Sequence, residues 1–168
     1  MPVVVRNRMA RRVFFSFHHA NDIWEVNQVR NAYALRGFRE TQPVIDGAAF
    51  EAIKRQGDYA VKNWIDREMR GCGVLAVLIG PQTYSRRWVK YEIEKAHAER
   101  MGIIGISLQG MRGRNGYEIK AAGPSPFDYA NLGTLLTRPN IPVYSWVYGA
   151  GRNNIASWVE TAARAVGR

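Results

Sequence analysis

The sequence predicts an α/β fold, a doubly wound parallel sheet with helices on both faces, and three observations predict it. Val74-Leu-Ala-Val-Leu-Ile79 has no polar residue on either side, as a central strand covered by helices on both faces requires. Short β-prone or apolar runs alternate with amphipathic stretches, and that alternation implies right-handed crossovers between parallel strands. The chain has 168 residues, 46% hydrophobic and 23% charged, the size and balance of one globular domain.

Taken in order, residues 1–10 read as a flexible N-terminal arm and 11–168 as a single domain. Arg12-Val-Phe-Phe-Ser-Phe17 is a β-prone run, and Asn21-Asp22 offers a helix cap. Within 22–36, Ile23, Val26, Val29 or Arg30, and Tyr33 recur at helical spacing, with Gly37 as the stop. Phe38 to Phe50 is read as a strand around Val44-Ile45 and a turn at Asp46-Gly47. Asp58 caps a helix whose buried stripe is Val61, Trp64, Ile65 and Met69, closed by Gly71.

After the Val74–Ile79 strand, Ser85 caps a helix running to about Arg100, with Val89, Ile93 and Ala96 at core spacing. Ile103-Ile-Gly-Ile-Ser-Leu108 is a further buried strand, and the Gly- and Pro-rich residues 110–126 read as a long loop. Ile141-Pro-Val-Tyr-Ser-Trp146 fits an edge strand that tolerates Pro142, and Asn154 to Val166 a final helix.

Several function classes are set aside by composition. The longest apolar run falls far short of the roughly 20 residues of a membrane span. The N-terminus carries its charges after a three-valine stretch, the reverse of a secretory signal. The single cysteine, Cys72, cannot form an intrachain disulfide and suits a reducing, cytoplasmic address; its setting between Gly71 and Gly73 before an apolar run reads as a buried thiol. A net charge of +10 attracts polyanions, but the basic residues are scattered, without the helix or zinc-ligand pattern of a nucleic-acid binder. His18, His19, His97 and one cysteine make no metal-site spacing. Gly71-Cys-Gly73 precedes a strand instead of following one, so it is no dinucleotide fingerprint.

In an open α/β sheet, ligands collect outside the carboxyl ends of the strands. The segment after the first strand supplies Ser16, Phe17, His18 and His19; the segment after Ile79 supplies Thr83, Tyr84, Ser85, Trp88 and Glu92. Trp88 and Glu92 lie one turn apart on the helix after Ser85 and face together. Spacing alone favours a solvated glutamate near Lys95 and Arg100 at position 92, and Phe17 and Trp88 fit either a stacking surface or the core. His18 fits a phosphate contact or a surface turn.

These residues carry a resemblance. Arg12-Val-Phe-Phe-Ser-Phe17 resembles the first box of TIR domains, a strand ending in Ser-Tyr or Ser-Phe, and Ser85-Arg-Arg-Trp-Val-Lys-Tyr-Glu92 resembles their Ser-x-x-Trp-x-x-x-Glu motif. The likeness is closer still to the TIR-like proteins of bacterial Thoeris anti-phage systems. It runs through Val13-Phe-Phe-Ser-Phe-His18, Val77-Leu-Ile-Gly80 with Thr83, Arg86-Arg-Trp-Val-Lys-Tyr-Glu-Ile93, Ile103-Ile-Gly-Ile106 and Gly123-Pro-Ser-Pro-Phe-Asp-Tyr129. The blocks keep their order over about 12–130, each on the element the pattern assigns.

The resemblance implies a flavodoxin-like, TIR-type sheet and an NAD glycohydrolase or cyclase, with NAD as substrate and no cofactor. It makes Glu92 the catalytic residue and Ser16, Phe17, His18, Asp46, Thr83, Tyr84, Ser85 and Trp88 the candidate substrate-binding set. Breaking the nicotinamide–ribose bond builds oxocarbenium-like charge on the ribose, where a fixed carboxylate in a water-poor cleft is worth most. The product is linear ADP-ribose if water captures the intermediate and cyclic if an adenine nitrogen or ribose hydroxyl does; the Thoeris likeness implies a cyclic signal. Implied partners are a downstream effector of that signal, a phage-derived trigger, and self-association or other TIR domains. The other reading is a non-catalytic TIR scaffold. Asp46-Gly47 lies where TIR domains carry their BB loop, but the Arg-Asp-x-x-Pro-Gly pattern is absent, so that loop's assembly contacts do not carry over.

Overall fold

The structure, a computed structural model, describes residues 11–35, 47–133 and 139–168. Among the described residues four strands, β1 (Val13–Ser16), β2 (Val74–Ile79), β3 (Gly102–Ser107) and β4 (Val143–Ser145), form one sheet in the order β1-β2-β3-β4. Every pairing is parallel, with Val13 opposite Val74, Val74 opposite Gly102 and Gly105 opposite Val143. The helices are α1 (His19–Leu35), α2 (Gly47–Arg55), α3 (Asp58–Met69), α4 (Arg87–Ala98) and α5 (Gly151–Ala165).

Two apolar layers follow from strand alternation, since successive side chains leave a strand on opposite faces. Val13 and Phe15 of β1, Val74, Ala76 and Leu78 of β2, and Ile104 and Ile106 of β3 pack with Val26, Val29 and Tyr33 of α1 and Ile155, Trp158 and Val159 of α5. Phe14, Leu75, Val77 and Ile79 point the other way, onto Val61, Trp64 and Ile65 of α3 and Val89 and Ile93 of α4, with Phe50 of α2 alongside. All six residues of β2 are buried, which is why its sequence alternates nothing. Helices therefore cover both faces, as the fold class requires. Ser16 shares the Phe14 face, and the α4 side of β1 is where its hydroxyl goes.

Several local expectations give way to tertiary interactions. α1 starts at His19, ahead of the Asn21-Asp22 cap read from sequence. Asp22 sits in its first turn with its own N–H on the His18 carbonyl at 3.0 Å, and its carboxylate is fully buried against Lys120 at 2.9 Å instead of capping. Ser85 does not cap α4 either. It closes a 3-10 turn, Thr83–Ser85, donating from Oγ to the Gln82 carbonyl at 3.0 Å, and α4 begins after an extended Arg86. The stretch 110–126 is more ordered than a plain loop: Arg112 bridges Ile119 antiparallel, and Lys120 reaches Asp22 from this segment. β4 lies at the edge as expected, and α5 begins at Gly151, before Asn154.

Gly47, read above as half of a turn, instead opens α2, because the run behind it, Ala48-Ala-Phe-Glu-Ala-Ile-Lys-Arg55, is rich in good helix formers. The Val44-Ile45 strand, Asp46, the Gly37 stop and the arm 1–10 lie outside the described residues. Among the described residues, no helix is long and apolar enough to cross a membrane.

The carboxyl end of β2 is crossed at close range. A Cβ on Gly123 would stand 2.0 Å from the Gly80 carbonyl oxygen, and one on Gly80 would stand 2.4 Å from Asp22 Oδ2. Only glycine lets the chain that returns from β3 lie over this end of the sheet and lets α1 close on it.

Candidate active site

A cavity of about 420 Å³ opens beyond the carboxyl end of β1, floored by the β1–α1 junction and walled by α2, α3 and the first two turns of α4. Phe17, His18 and His19 come from the junction, Phe50 and Lys54 from α2, Asp58 and Val61 from α3, and Trp88, Val89 and Glu92 from α4, with Ser85, Arg86 and Arg87 at its entrance.

Glu92 is held at the back. On α4, Val89, Ile93 and Ala96 are buried under the sheet, and the 100° step between neighbours leaves Glu92 beside Ile93 on the same inward side. Its carboxylate is only 6% exposed, and Ser16, 1% exposed at the end of β1, donates its hydroxyl hydrogen to Glu92 Oε2. Burial disfavours the charged form and pushes the Glu92 carboxyl up to about 8, with the Ser16 hydrogen bond pulling the other way. A carboxyl so placed keeps its proton to higher pH than an exposed glutamate does. A cation entering beside it favours the carboxylate, so Glu92 gains charge where positive charge is present.

One wall is a stack of flat rings. Phe17 and His19 lie 4.2 Å apart between centroids, and His19 and Phe50 stack at 4.3 Å and 9°. Burial drives His19 down to about 4, so this ring, held between Phe17 and Phe50, brings no charge to the wall that would repel a cation. Burial and then the neighbouring Arg86 lower His18 as well. The Nδ1 atoms of both histidines are buried without a hydrogen-bond partner among the described residues. On α4, the Arg87 guanidinium lies 4.5 Å over the Trp88 ring.

The sequence-derived candidates sort into three groups. Phe17, His18, Ser85 and Trp88 line the cavity with Glu92. Ser16 does not line it and instead lies behind Glu92 as a hydrogen-bond donor. Thr83 and Tyr84 are not among the lining residues. The Thr83 hydroxyl oxygen accepts the Gly80 N–H at 2.8 Å and donates to the Leu78 carbonyl at 3.4 Å, bracing the turn, while Tyr84 packs on Tyr129 at 5.1 Å. Asp46 lies outside the described residues.

The candidates that sequence reasoning missed are Phe50 and Lys54, Asp58 and Val61, and the entrance arginines Arg86 and Arg87. Phe50 and Ile53, three apart in an alanine-rich run, were the available signal for α2. Cys72 is buried at 2% exposure and its thiol is pushed up to about 11, which leaves it inert. Among the described residues, no three His, Cys, Asp or Glu side chains gather as a metal site.

A parallel sheet with helices on both faces, a serine ending the first strand, and a buried glutamate four residues after a tryptophan on the helix beyond β2 together define a TIR-type α/β domain. The chain belongs to the family described as Thoeris protein ThsB, TIR-like domain, which matches residues 14–112, from β1 past β3 and across the whole Ser16–Glu92 pairing. It is similar to the protein of Bacillus cereus (strain MSX-D12) named "Putative cyclic ADP-D-ribose synthase ThsB1", 38% identical over 142 residues that cover 84% of this chain and 73% of that relative.

Proposed function

We propose that this chain cleaves the nicotinamide–ribose bond of NAD and converts the ADP-ribose portion into a cyclic ADP-ribose-type signal in anti-phage defence. The observation that carries this reading is the buried Glu92 carboxyl, fastened by Ser16 at the back of a ring-lined cavity. The synthase activity for which the Bacillus cereus relative is named supports the same reading.

The chemistry follows from the geometry. NAD brings a pyridinium cation, and Phe17, His19 and Phe50 line the cavity as an uncharged aromatic wall that does not repel it. As the C1′–N1 bond breaks, its electron pair neutralises the pyridinium and nicotinamide departs without needing a proton. Positive charge passes to the ribose, and the Glu92 carboxylate meets it in surroundings where a charge interaction is worth far more than in water. Capture of C1′ by an adenine nitrogen closes the cyclic product; capture by a ribose hydroxyl does so with loss of one proton. Capture by water gives linear ADP-ribose. An aligned internal nucleophile can have an effective concentration of about 10⁵ M or more, against about 55 M for water, so a folded-back pose favours cyclisation.

In this reading NAD is the substrate, no resident cofactor takes part, and the product diffuses to a downstream effector. Activation follows a phage-derived trigger, with self-association or association with other TIR domains as the assembly step. The test is Glu92→Gln, which keeps the shape and the Ser16 hydrogen bond but removes the charge. Nicotinamide release from NAD, measured on triggered or assembled protein, should fall at least about a hundredfold, the scale set by losing one electrostatic stabiliser. A folded Glu92→Gln protein with the wild-type rate overturns the assignment. A wild-type protein that consumes no NAD in any assembled form, yet binds another TIR domain regardless of position 92, would be the scaffold instead.

A further inference from the structure

The geometry points to Arg86 as the residue that selects a phosphate-bearing substrate, by gripping the pyrophosphate of a dinucleotide at the mouth of the cavity. This rests on the NAD reading and adds a subsite to it.

Among the described residues, three cations line the cavity, and two of them are already neutralised. Lys54 is paired with Glu51 at 2.8 Å, and Arg87 with Asp58. Arg86 has no carboxylate in salt-bridge range among the described residues. Its Nε and Nη2 reach only Gln82, at 3.4 Å to the carbonyl and 3.4 Å to Oε1, both long. A guanidinium carries five N–H donors in a planar fork, so most of this one's donor capacity is available, and the fork matches phosphate oxygens. His18 shares the lining with Arg86, is disfavoured as a cation by burial and then by that arginine, and keeps a buried Nδ1 without a partner among the described residues. A neutral imidazole beside an unbalanced guanidinium can add a hydrogen bond to an anion without competing for it.

Position along the cavity decides which part of the substrate meets this group. Glu92 marks the deep end, where the ribose C1′ must lie, and Arg86 is exposed at the entrance, six residues and more than one and a half turns nearer the start of α4. In NAD the pyrophosphate follows the nicotinamide-bearing ribose, so with the nicotinamide end inside, the two phosphates reach the lip. Nicotinamide riboside, which ends at the ribose, leaves Arg86 untouched.

The experiment measures direct binding and turnover on the same proteins. ADP and nicotinamide riboside are titrated into the full chain by calorimetry, with Arg86→Ala and Arg86→Lys beside the wild type, and NAD kinetics are recorded separately. Expected is an ADP affinity about tenfold weaker in Arg86→Ala, equal to about 1.4 kcal/mol. Arg86→Lys should recover part of it, nicotinamide riboside affinity should not change, and the KM for NAD should rise about tenfold with kcat within about twofold. ADP binding that is absent from the wild type, or unchanged by Arg86→Ala, overturns the subsite. Loss of ADP and nicotinamide riboside affinity in equal measure also overturns it, since that is a structural effect. A wild type that binds ADP through Arg86 but never cleaves NAD retains the subsite and rejects the activity, so the two failures are separable.

Discussion

Glu92 and Ser16 lie 76 residues apart in sequence and share one proton-dependent contact. Burial raises the Glu92 pKa to about 8, and the Ser16 hydroxyl lowers it by bonding the charged form. In the proposed mechanism the carboxylate is the active form, so kcat/KM for NAD should climb with pH through a limb near the Glu92 value of the free protein. Ser16→Ala removes the lowering influence, and the limb should move up by about one to two pH units, the size of a hydrogen bond to a buried charge. A pH–rate profile checks this, and a Ser16→Ala profile that drops in height without moving along the pH axis would reduce Ser16 to a packing role. The partnership of Trp88 and Glu92 was legible because four residues make one helical turn. The task of Ser16 was not. Strand alternation told which face its hydroxyl took, but only the assembled sheet shows that α4 lies over that face and fills the space that a substrate contact would have needed.

At the scale of elements, β2 and β3 announced themselves as apolar runs, and the stripes of α3 and α4 were readable because their buried residues recur every three or four positions. The errors cluster where a local signal met a distant partner. Asp22 had the chemistry of a cap, yet it is drawn into α1 by Lys120, which bonds its Oδ1 at 2.9 Å, the Asn21 carbonyl at 2.9 Å and Glu25 at 3.4 Å. Two buried carboxylates share that single ammonium, which ties the segment after β3 to the helix after β1. Lys120→Ala strands both charges, so it should cost about 3–5 kcal/mol, read as a fall in the urea midpoint, whereas Lys120→Met in an Asp22→Asn/Glu25→Gln background should recover much of the loss. The glycines at the same crossing allow a sharper test. In Gly123→Ala the new methyl meets the Gly80 backbone, which cannot yield as a side chain would, and a loss of about 1–3 kcal/mol is expected. Gly73→Ala, where nothing lies within 4 Å of the added carbon, should be neutral or slightly stabilising. Equal thermal shifts for the two variants would show that the close approach is not what fixes this end of the sheet.

For the whole molecule, the groups that equip the cavity also shape stability, and their signs can be worked out. His19 falls from 6.5 to about 4 on folding, so the unfolded chain binds more protons between those values and its contribution to stability rises with pH there. Glu92 rises from 4.5 to about 8, so the folded chain holds the extra proton and stability falls with pH across that window. From about pH 4.5 to 6.5 the two slopes oppose each other. Above 6.5 His19 is neutral in both states, and only Glu92 goes on extracting a cost, up to about 1.4 kcal/mol for each pH unit until its folded pKa is reached. The proposed mechanism accounts for that cost: an acid kept dry enough to hold its proton to about pH 8 is one whose charge is strongly stabilised only when a cation arrives. Glu92→Gln removes the titration and leaves His19 in place. Urea midpoints measured from pH 5 to 9 should therefore find the variant increasingly more stable than wild type between about pH 5 and 8, with the difference levelling off beyond. Parallel stability curves for the two proteins would mean that position 92 is already ionised in the folded state, and the mechanism would then have to work from a carboxylate that is charged before substrate binds.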